Sequence, residues 1–239
     1  MAKILQLKIV LNDIKPEIWR RFLVEDSISF NRLHKIIQTV MGWDDYHMYK
    51  FCIDNEEIVP EEEGYNLAES SFNKLFGSPE FVRMLGQGRL GKSPGSLDTD
   101  KINEILHKIE QNKSVVKFDV NAKMNRLIKL EKQKFTYVYD FGDSWEHTVT
   151  VEKIIEKDQS KKYPICLEGE RACPPEDCGS IPGYYNLMKI RKNKKHSQYK
   201  ELIVEWLGED YDPELFVVDW VNAKLHGKRP APVWVHSKK

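Results

Sequence analysis

Apolar and polar residues alternate along two early stretches of the chain, which is the pattern of half-buried β-strands. Every second residue from Leu5 to Leu11 is apolar, and a similar stretch runs from Ile18 to Val24. Residues 12–16 between them have turn composition, so we expect the two strands to pair. Three more strands are predicted, at residues 46–53, 115–120 and 126–130.

The spacing of apolar residues changes to that of a helix after Ser29, a residue suited to the N-cap position. Gly42 is suited to end that helix. Three further helices are predicted near the C-terminus, the middle one carrying an apolar face over 199–207 and the last beginning at Asp212 with Pro213 in its first turn. Early strands and late helices predict an α+β fold: a largely antiparallel sheet covered by helices, with a C-terminal helical segment.

Residues 135–151 carry the clearest local pattern in the chain. Two runs rich in aromatic and β-branched residues flank Gly142-Asp143-Ser144, which predicts a β-hairpin with strands near 134–141 and 145–154. Because side chains alternate along a strand, each arm has one apolar face that can build the core. These faces are Phe135, Tyr137, Tyr139 and Phe141 on the first arm, and Trp145, His147, Val149 and Val151 on the second. Tyr137, Tyr139, Trp145 and Val149 are expected to be buried.

Polar residues collect at the tip of this hairpin, where Asp140, Asp143 and His147 are candidate catalytic residues. A histidine beside carboxylates can act as a general base or bind a metal. The alternative is structural, because Asp143 can bond its own backbone in the turn and His147 can be a satisfied core residue. In either case we expect Asp143 to lie close to His147. The candidate binding residues around the same cleft are His34, Trp43, His47, Trp145, Glu176 and Asp177.

Three cysteines in one short turn-rich segment, Cys166, Cys173 and Cys178, suggest zinc, which thiolates bind tetrahedrally. No Cys-x-x-Cys pair is present, so the fourth ligand would come from elsewhere, such as Cys52, His147, Glu176 or Asp177. The alternatives are buried free thiols in a proline-stiffened loop or a Cys173–Cys178 disulfide. The chain has four cysteines, three of them in one short segment, and this pattern does not resemble the disulfide framework of a secreted protein. It therefore favours a cytoplasmic location.

Charge and composition narrow the classes of partner. The 37 basic and 37 acidic side chains cancel, which argues against a surface that coats nucleic acid or an anionic membrane as a whole. No apolar run approaches the ~20 residues of a membrane span. A local basic run, Lys189–Lys195, is compatible with a protein or nucleic-acid partner and equally with a solvated helix face. The composition changes over 61–112, so we predict one domain over 1–239 with an insertion there.

Several sequence blocks together resemble the plasmid pRiA4b open-reading-frame-three-like family. These blocks are Ile14–Arg21, Met41–Trp43, Tyr139–His147, Ala172–Gly179 and Tyr211–Glu214. The resemblance covers nearly the whole chain apart from residues 61–112. It implies an α+β fold and an origin on plasmids or insertion elements, and it supplies no reaction.

Two functions are therefore predicted. The first is a cytoplasmic binding or accessory protein of mobile-element origin, with a cleft near the Asp140–His147 hairpin tip. The second is a metal-assisted hydrolase of a phosphate ester or nucleic acid that uses Asp140, Asp143 and His147. An enzyme requires these groups to converge in a cleft.

Overall fold

The alternating stretches form strands of one eight-stranded sheet in a computed structural model that describes residues 2–60 and 115–229. The order across the sheet is β5-β4-β3-β6-β7-β1-β2-β8, and every neighbouring pair is antiparallel except β4 with β5. The predicted α+β class is confirmed, and the insertion predicted at 61–112 lies outside the described residues. The strands are β1 (Lys3–Leu11), β2 (Ile18–Glu25), β3 (Tyr49–Ile53), β4 (Glu56–Val59), β5 (Val115–Phe118), β6 (Lys134–Tyr139), β7 (Trp145–Glu156) and β8 (Ile165–Glu170).

The described helices are α1 (Phe30–Met41), α2 (Met124–Leu127), α3 (Ser180–Arg191) and α4 (Val218–Leu225), with a π-helix at Lys200–Leu207. The strand predicted at 126–130 is wrong. The Ile128 amide donates to the Met124 carbonyl at 2.7 Å, so these two buried residues are one helical turn apart instead of alternating along a strand. The last helix begins later than predicted, because Asp212 closes a turn by accepting the Glu214 amide at 3.0 Å.

Helix α1 is capped as the sequence predicts. The Ser29 hydroxyl accepts the Arg32 amide at 3.3 Å, and Gly42 ends the helix in the left-handed conformation with φ of 105°. Its apolar residues pack on the buried side of the sheet, since Leu33, Ile37 and Val40 have no exposed surface. The helix therefore fixes where the chain leaves toward β3, and that connection carries part of the candidate site.

The aromatic hairpin lies in the middle of the sheet and supplies much of the core. β6 and β7 pair with Phe135 opposite Val149 and Tyr139 opposite Trp145. The four residues predicted to be buried are all fully buried, as expected. Phe141 departs from the prediction and is exposed, because β6 ends at Tyr139 and Asp140 turns the chain with a φ of 55°.

Arg20 is fully buried on β2, whereas its neighbour Arg21 lies on the opposite, polar face of the sheet. The Arg20 guanidinium donates to the Val40 carbonyl at 2.7 Å, near the end of α1, and to the Glu170 carbonyl at 2.7 Å, at the end of β8. It also stacks on the Phe216 ring at 4.0 Å. Burial lowers the pKa of Arg20 to about 10, so the group stays charged near neutral pH. It links the end of α1 to the β2–β8 edge of the sheet.

Across residues 2–60 and 115–229, no helix has both the length and the apolar character that a membrane crossing requires.

Candidate functional site

Three loops meet at the hairpin tip: the α1–β3 connection, the β6–β7 turn and the proline-rich loop after β8. The Trp43 indole N–H donates to the Pro174 carbonyl at 3.0 Å, which attaches the proline-rich loop to the end of α1. The Asp143 carboxylate accepts the Gly179 amide at 3.1 Å and attaches the same loop to the hairpin. Polar side chains far apart in sequence thereby share one pocket.

The pocket is organised around the imidazole of His47. Its Nε2 atom lies 3.1 Å from Asp177 Oδ1, 3.8 Å from Asp140 Oδ2 and 3.8 Å from Glu176 Oε2. One ligand atom each from His47, Asp140 and Asp177 fall within 4.8 Å of one another, a spacing that could hold a metal ion. Asp177 is exposed and Asp140 is buried, so the pocket opens to solvent on the Asp177 side.

In two of these carboxylates, the oxygen that faces away from His47 accepts hydrogen bonds from neighbouring groups. Glu176 Oε1 accepts the Tyr139 hydroxyl at 2.9 Å and the Asp44 amide at 3.0 Å. Asp140 Oδ1 accepts the Gly142 amide at 2.8 Å. In each residue one oxygen is therefore fixed by the fold, and the other is directed toward His47.

The inner atoms of the pocket lack partners of their own. Within the described chain, His47 Nε2 and Glu176 Oε2 are both buried without a hydrogen bond, although Asp177 Oδ1 is close to Nε2. Burial raises the pKa of Glu176 above its ordinary value. A buried polar atom without a partner is costly, and a ligand bound in this pocket would satisfy these atoms.

The raised pKa of Glu176 predicts a pH-dependent effect of Glu176→Gln in metal-free protein. Folded Glu176 holds its proton more tightly than the unfolded chain does, so the wild type loses stability as pH rises from its ordinary pKa of 4.5 through the raised value. The glutamine keeps an acceptor for Tyr139 and Asp44 without that loss. We expect chemical denaturation to show the variant gaining stability relative to the wild type as pH rises above about 4.5, the ordinary pKa from which the Glu176 carboxyl is raised.

The matched control for this prediction is Glu146→Gln, which changes an exposed carboxylate on β7. An equal gain in both variants would attribute the effect to net charge, and no gain in Glu176→Gln would contradict the geometry described for the pocket.

His147 does not belong to this pocket, which corrects the predicted grouping of Asp140, Asp143 and His147. The imidazole is fully buried, its Nδ1–H donates to the Tyr137 carbonyl at 3.2 Å, and the Trp43 ring packs edge-on against it at 5.3 Å. Burial lowers the pKa of His147 to about 3, so it stays neutral. Asp143 bonds Gly179 and is not the partner of His147. The expectation that these two residues lie together is wrong, because the turn directs Asp143 outward while β7 directs His147 into the core.

The zinc site predicted from the cysteines does not form either. Among the described residues, Cys166, Cys173 and Cys178 do not bring their sulfurs together as a metal-ligating group, and all four cysteines are free thiols. Cys166 lies in β8, where its backbone pairs with the Asn222 side chain of α4, whereas Cys173 lies below the end of α1 at Gly42. Burial raises the pKa values of Cys166 to about 11 and Cys173 to about 12, which keeps both thiols protonated.

The other predicted binding residues support the pocket from the core. Trp145 is fully buried, and Trp43 packs on Tyr139 at 4.9 Å. His34 is also buried: its Nε2–H donates to Asp45 at 2.6 Å, and its Nδ1 accepts the Tyr137 hydroxyl at 2.8 Å. Asp45 and the orienting role of Tyr139 are not predicted from the sequence. The only sequence signal for Asp45 is its position directly after Gly42-Trp43-Asp44, at the end of α1.

The fold and the pocket define an α+β protein with an acidic, imidazole-containing site at the tip of a central hairpin. Residues 3–220 match the model of the plasmid pRiA4b ORF-3-like protein family, and the chain belongs to that family. Its relatives include the uncharacterized protein y4hQ of Sinorhizobium fredii (strain NBRC 101917 / NGR234), which is 27% identical over 89% of this chain and 85% of that protein.

A solved structure has the same fold. The crystal structure of the protein of unknown function MM3350 from Methanosarcina mazei Go1 aligns with a TM-score of 0.66 and 30% sequence identity, covering 92% of this chain and 97% of that one. The family, this relative and this structure carry no stated activity, so the function has to be argued from the pocket.

Proposed function

We propose that the protein is a binding module whose hairpin-tip pocket receives a positively charged ligand. The observation that carries this proposal is the set of three carboxylates, from Asp140, Glu176 and Asp177, around one imidazole. Like charges close together repel, and a cationic group placed among them converts that repulsion into attraction. Sites built for a ligand are commonly unfavourable for the empty protein in this way.

The hydrolase alternative receives less support in its predicted form. It requires Asp140, Asp143 and His147 to act together, and these three side chains point to three different surroundings. We further infer a cytoplasmic location and a mobile-element origin. The four free thiols support the first, and the plasmid in the family description supports the second. A partner for the exposed basic run Lys189–Lys195 stays a prediction.

A thermal-shift comparison tests the proposed pocket. Wild type, Asp140→Asn and Asp143→Asn are melted with divalent metal chlorides and, separately, with an arginine-rich peptide. A ligand at about 100 times its Kd stabilises the folded state by about 2.7 kcal/mol. We expect at least one of these cations to raise the melting temperature of the wild type and of Asp143→Asn, with the rise largely lost in Asp140→Asn.

Asp143→Asn is the matched control, because the asparagine retains an oxygen for the Gly179 amide and lies outside the ring of ligands around His47. Stabilisation by neither class of cation, or stabilisation that survives Asp140→Asn, would overturn the proposed function.

His147→Ala provides the complementary prediction. This change removes a fully buried side chain from the core and alters none of the four side chains that surround the ligand position, His47, Asp140, Glu176 and Asp177, so we expect a lower melting temperature with unchanged ligand affinity. The measurements are thermal denaturation and titration of whichever cation stabilises the wild type. A well-folded His147→Ala protein that had lost binding would show that His147 belongs to the site.

A further inference from the structure

We propose that His47, Asp140 and Asp177 ligate a divalent transition-metal ion through Nε2, Oδ2 and Oδ1. This inference rests on the proposed function, because it names the positively charged ligand of the same pocket. The three side chains come from three different loops, so the ion would also join the α1–β3 connection, the hairpin tip and the proline-rich loop.

The spacing of the ligand atoms fits such an ion. Metal–ligand distances of about 2.0–2.2 Å place neighbouring ligand atoms about 2.8–3.6 Å apart in octahedral or tetrahedral coordination. The separations from His47 Nε2 are 3.1 Å to Asp177 and 3.8 Å to Asp140. All three ligand atoms lie within 4.8 Å of one another, so side-chain rotations are needed to bring them onto one ion.

Burial supplies the second, independent observation. The Asp140 side chain is only 9% exposed, and its Oδ2 faces His47 while Oδ1 is occupied by the Gly142 amide. His47 Nε2 is buried and, within the described chain, makes no hydrogen bond, although Asp177 Oδ1 lies 3.1 Å away. In the tautomer with its proton on Nδ1, the imidazole directs the Nε2 lone pair at these carboxylate oxygens, and a metal ion satisfies that arrangement.

Glu176 completes the surroundings of the ion. Its Oε2 lies 3.8 Å from His47 Nε2 and is also buried without a partner, so it can supply a fourth oxygen or hold a metal-bound water. Tyr139 and Asp44 fix its other oxygen, which is the outer-shell support that orients metal ligands in proteins.

The donor set selects the class of metal. Imidazole nitrogen suits zinc and iron, carboxylate oxygen suits manganese and magnesium, and thiolate would have favoured softer ions. One nitrogen with two or three oxygens therefore favours Mn²⁺, Fe²⁺ or Zn²⁺ over Mg²⁺ and Ca²⁺. The ion would be a Lewis acid at the solvent side of the pocket, next to exposed Asp177.

Isothermal titration of chelator-treated, full-length protein with ZnCl₂ and with MnCl₂ tests this inference. We expect one ion per chain in the wild type and an affinity lower by about 100-fold or more in His47→Gln, Asp140→Asn and Asp177→Asn, since even outer-shell changes cost about 10–100-fold. Glu146→Gln, which changes an exposed carboxylate on β7, should bind as the wild type does. Melting curves recorded in chelator show whether each variant is folded. Because the Asp177 side chain is exposed to solvent, Asp177→Asn is the variant whose folding should be affected least.

The outcomes separate this inference from the proposed function. Stabilisation by the arginine-rich peptide that requires Asp140, without metal binding, would overturn the metal site and leave the cationic pocket standing. Metal binding that is unaffected in folded Asp140→Asn and Asp177→Asn would overturn the assignment of ligands. Binding of neither cation by folded wild type would overturn both.

Discussion

Trp145→Ala should lower the free energy of unfolding by about 3–5 kcal/mol, the range found for large aromatic side chains removed from protein cores. Trp145 is the largest fully buried side chain in the described part of the chain, and it begins β7 opposite Tyr139. Its ring lies 6.3 Å from that of Trp43, the residue that anchors the proline-rich loop. The cavity would therefore open beneath the candidate site, and urea denaturation followed by circular dichroism measures its cost.

Two further variants make the Trp145 experiment specific. Within the described chain the Trp145 indole N–H has no hydrogen-bond partner, so Trp145→Phe removes volume without breaking a bond and should cost distinctly less. Phe141→Ala changes an exposed aromatic residue of the same hairpin and should alter stability by no more than about 0.5 kcal/mol. Equal losses in Trp145→Ala and Phe141→Ala would show that the hairpin is not the organising core.

Arg20→Ala has the second largest expected effect, again about 3–5 kcal/mol. The variant leaves a cavity and removes the donor from four backbone carbonyls, those of Trp19, Val40, Met41 and Glu170. Two of these carbonyls end α1, where a positive charge also interacts favourably with the helix dipole. Arg20→Lys keeps the charge and loses the planar fork, so it should cost about 2 kcal/mol.

The neighbouring arginine provides the control for Arg20. Arg21 forms a bidentate pair with Glu152 on the polar face of the sheet, and both side chains are only about one-quarter exposed. Arg21→Ala should therefore cost about 1–2 kcal/mol in the same denaturation experiment, which is more than a solvent-exposed pair contributes and less than the loss expected for Arg20→Ala. A larger loss in Arg21→Ala than in Arg20→Ala would contradict the assignment of the two residues to opposite faces.

The fold could be predicted where the relevant pattern is local. The hairpin is encoded by alternating aromatic residues over seventeen positions, and α1 by Ser29, Gly42 and the apolar residues between them. Prediction failed at 126–130, where Met124 and Ile128 share a buried side because they are one helical turn apart. Short apolar runs fit the periodicity of a helix and that of a strand equally well, and only tertiary packing decides between the two structures.

The pocket shows why sites are harder to predict than folds. The sequence indicates His47, Asp140, Glu176 and Asp177 individually, but it groups Asp140 with Asp143 and His147 because these are neighbours in the chain. The left-handed turn at Asp140 and the Trp43–Pro174 bond between distant loops produce the actual grouping. The cysteines illustrate the same difficulty, since proximity in sequence did not bring their sulfurs together.

The most direct test of the metal site is anomalous X-ray diffraction from crystals grown with Mn²⁺ or Zn²⁺. We expect a single strong peak within bonding distance of His47 Nε2, Asp140 Oδ2 and Asp177 Oδ1, and no such peak in crystals of Asp140→Asn. A peak located instead at Cys166, Cys173 or Cys178, or no peak at the hairpin tip of the wild type, would contradict this expectation.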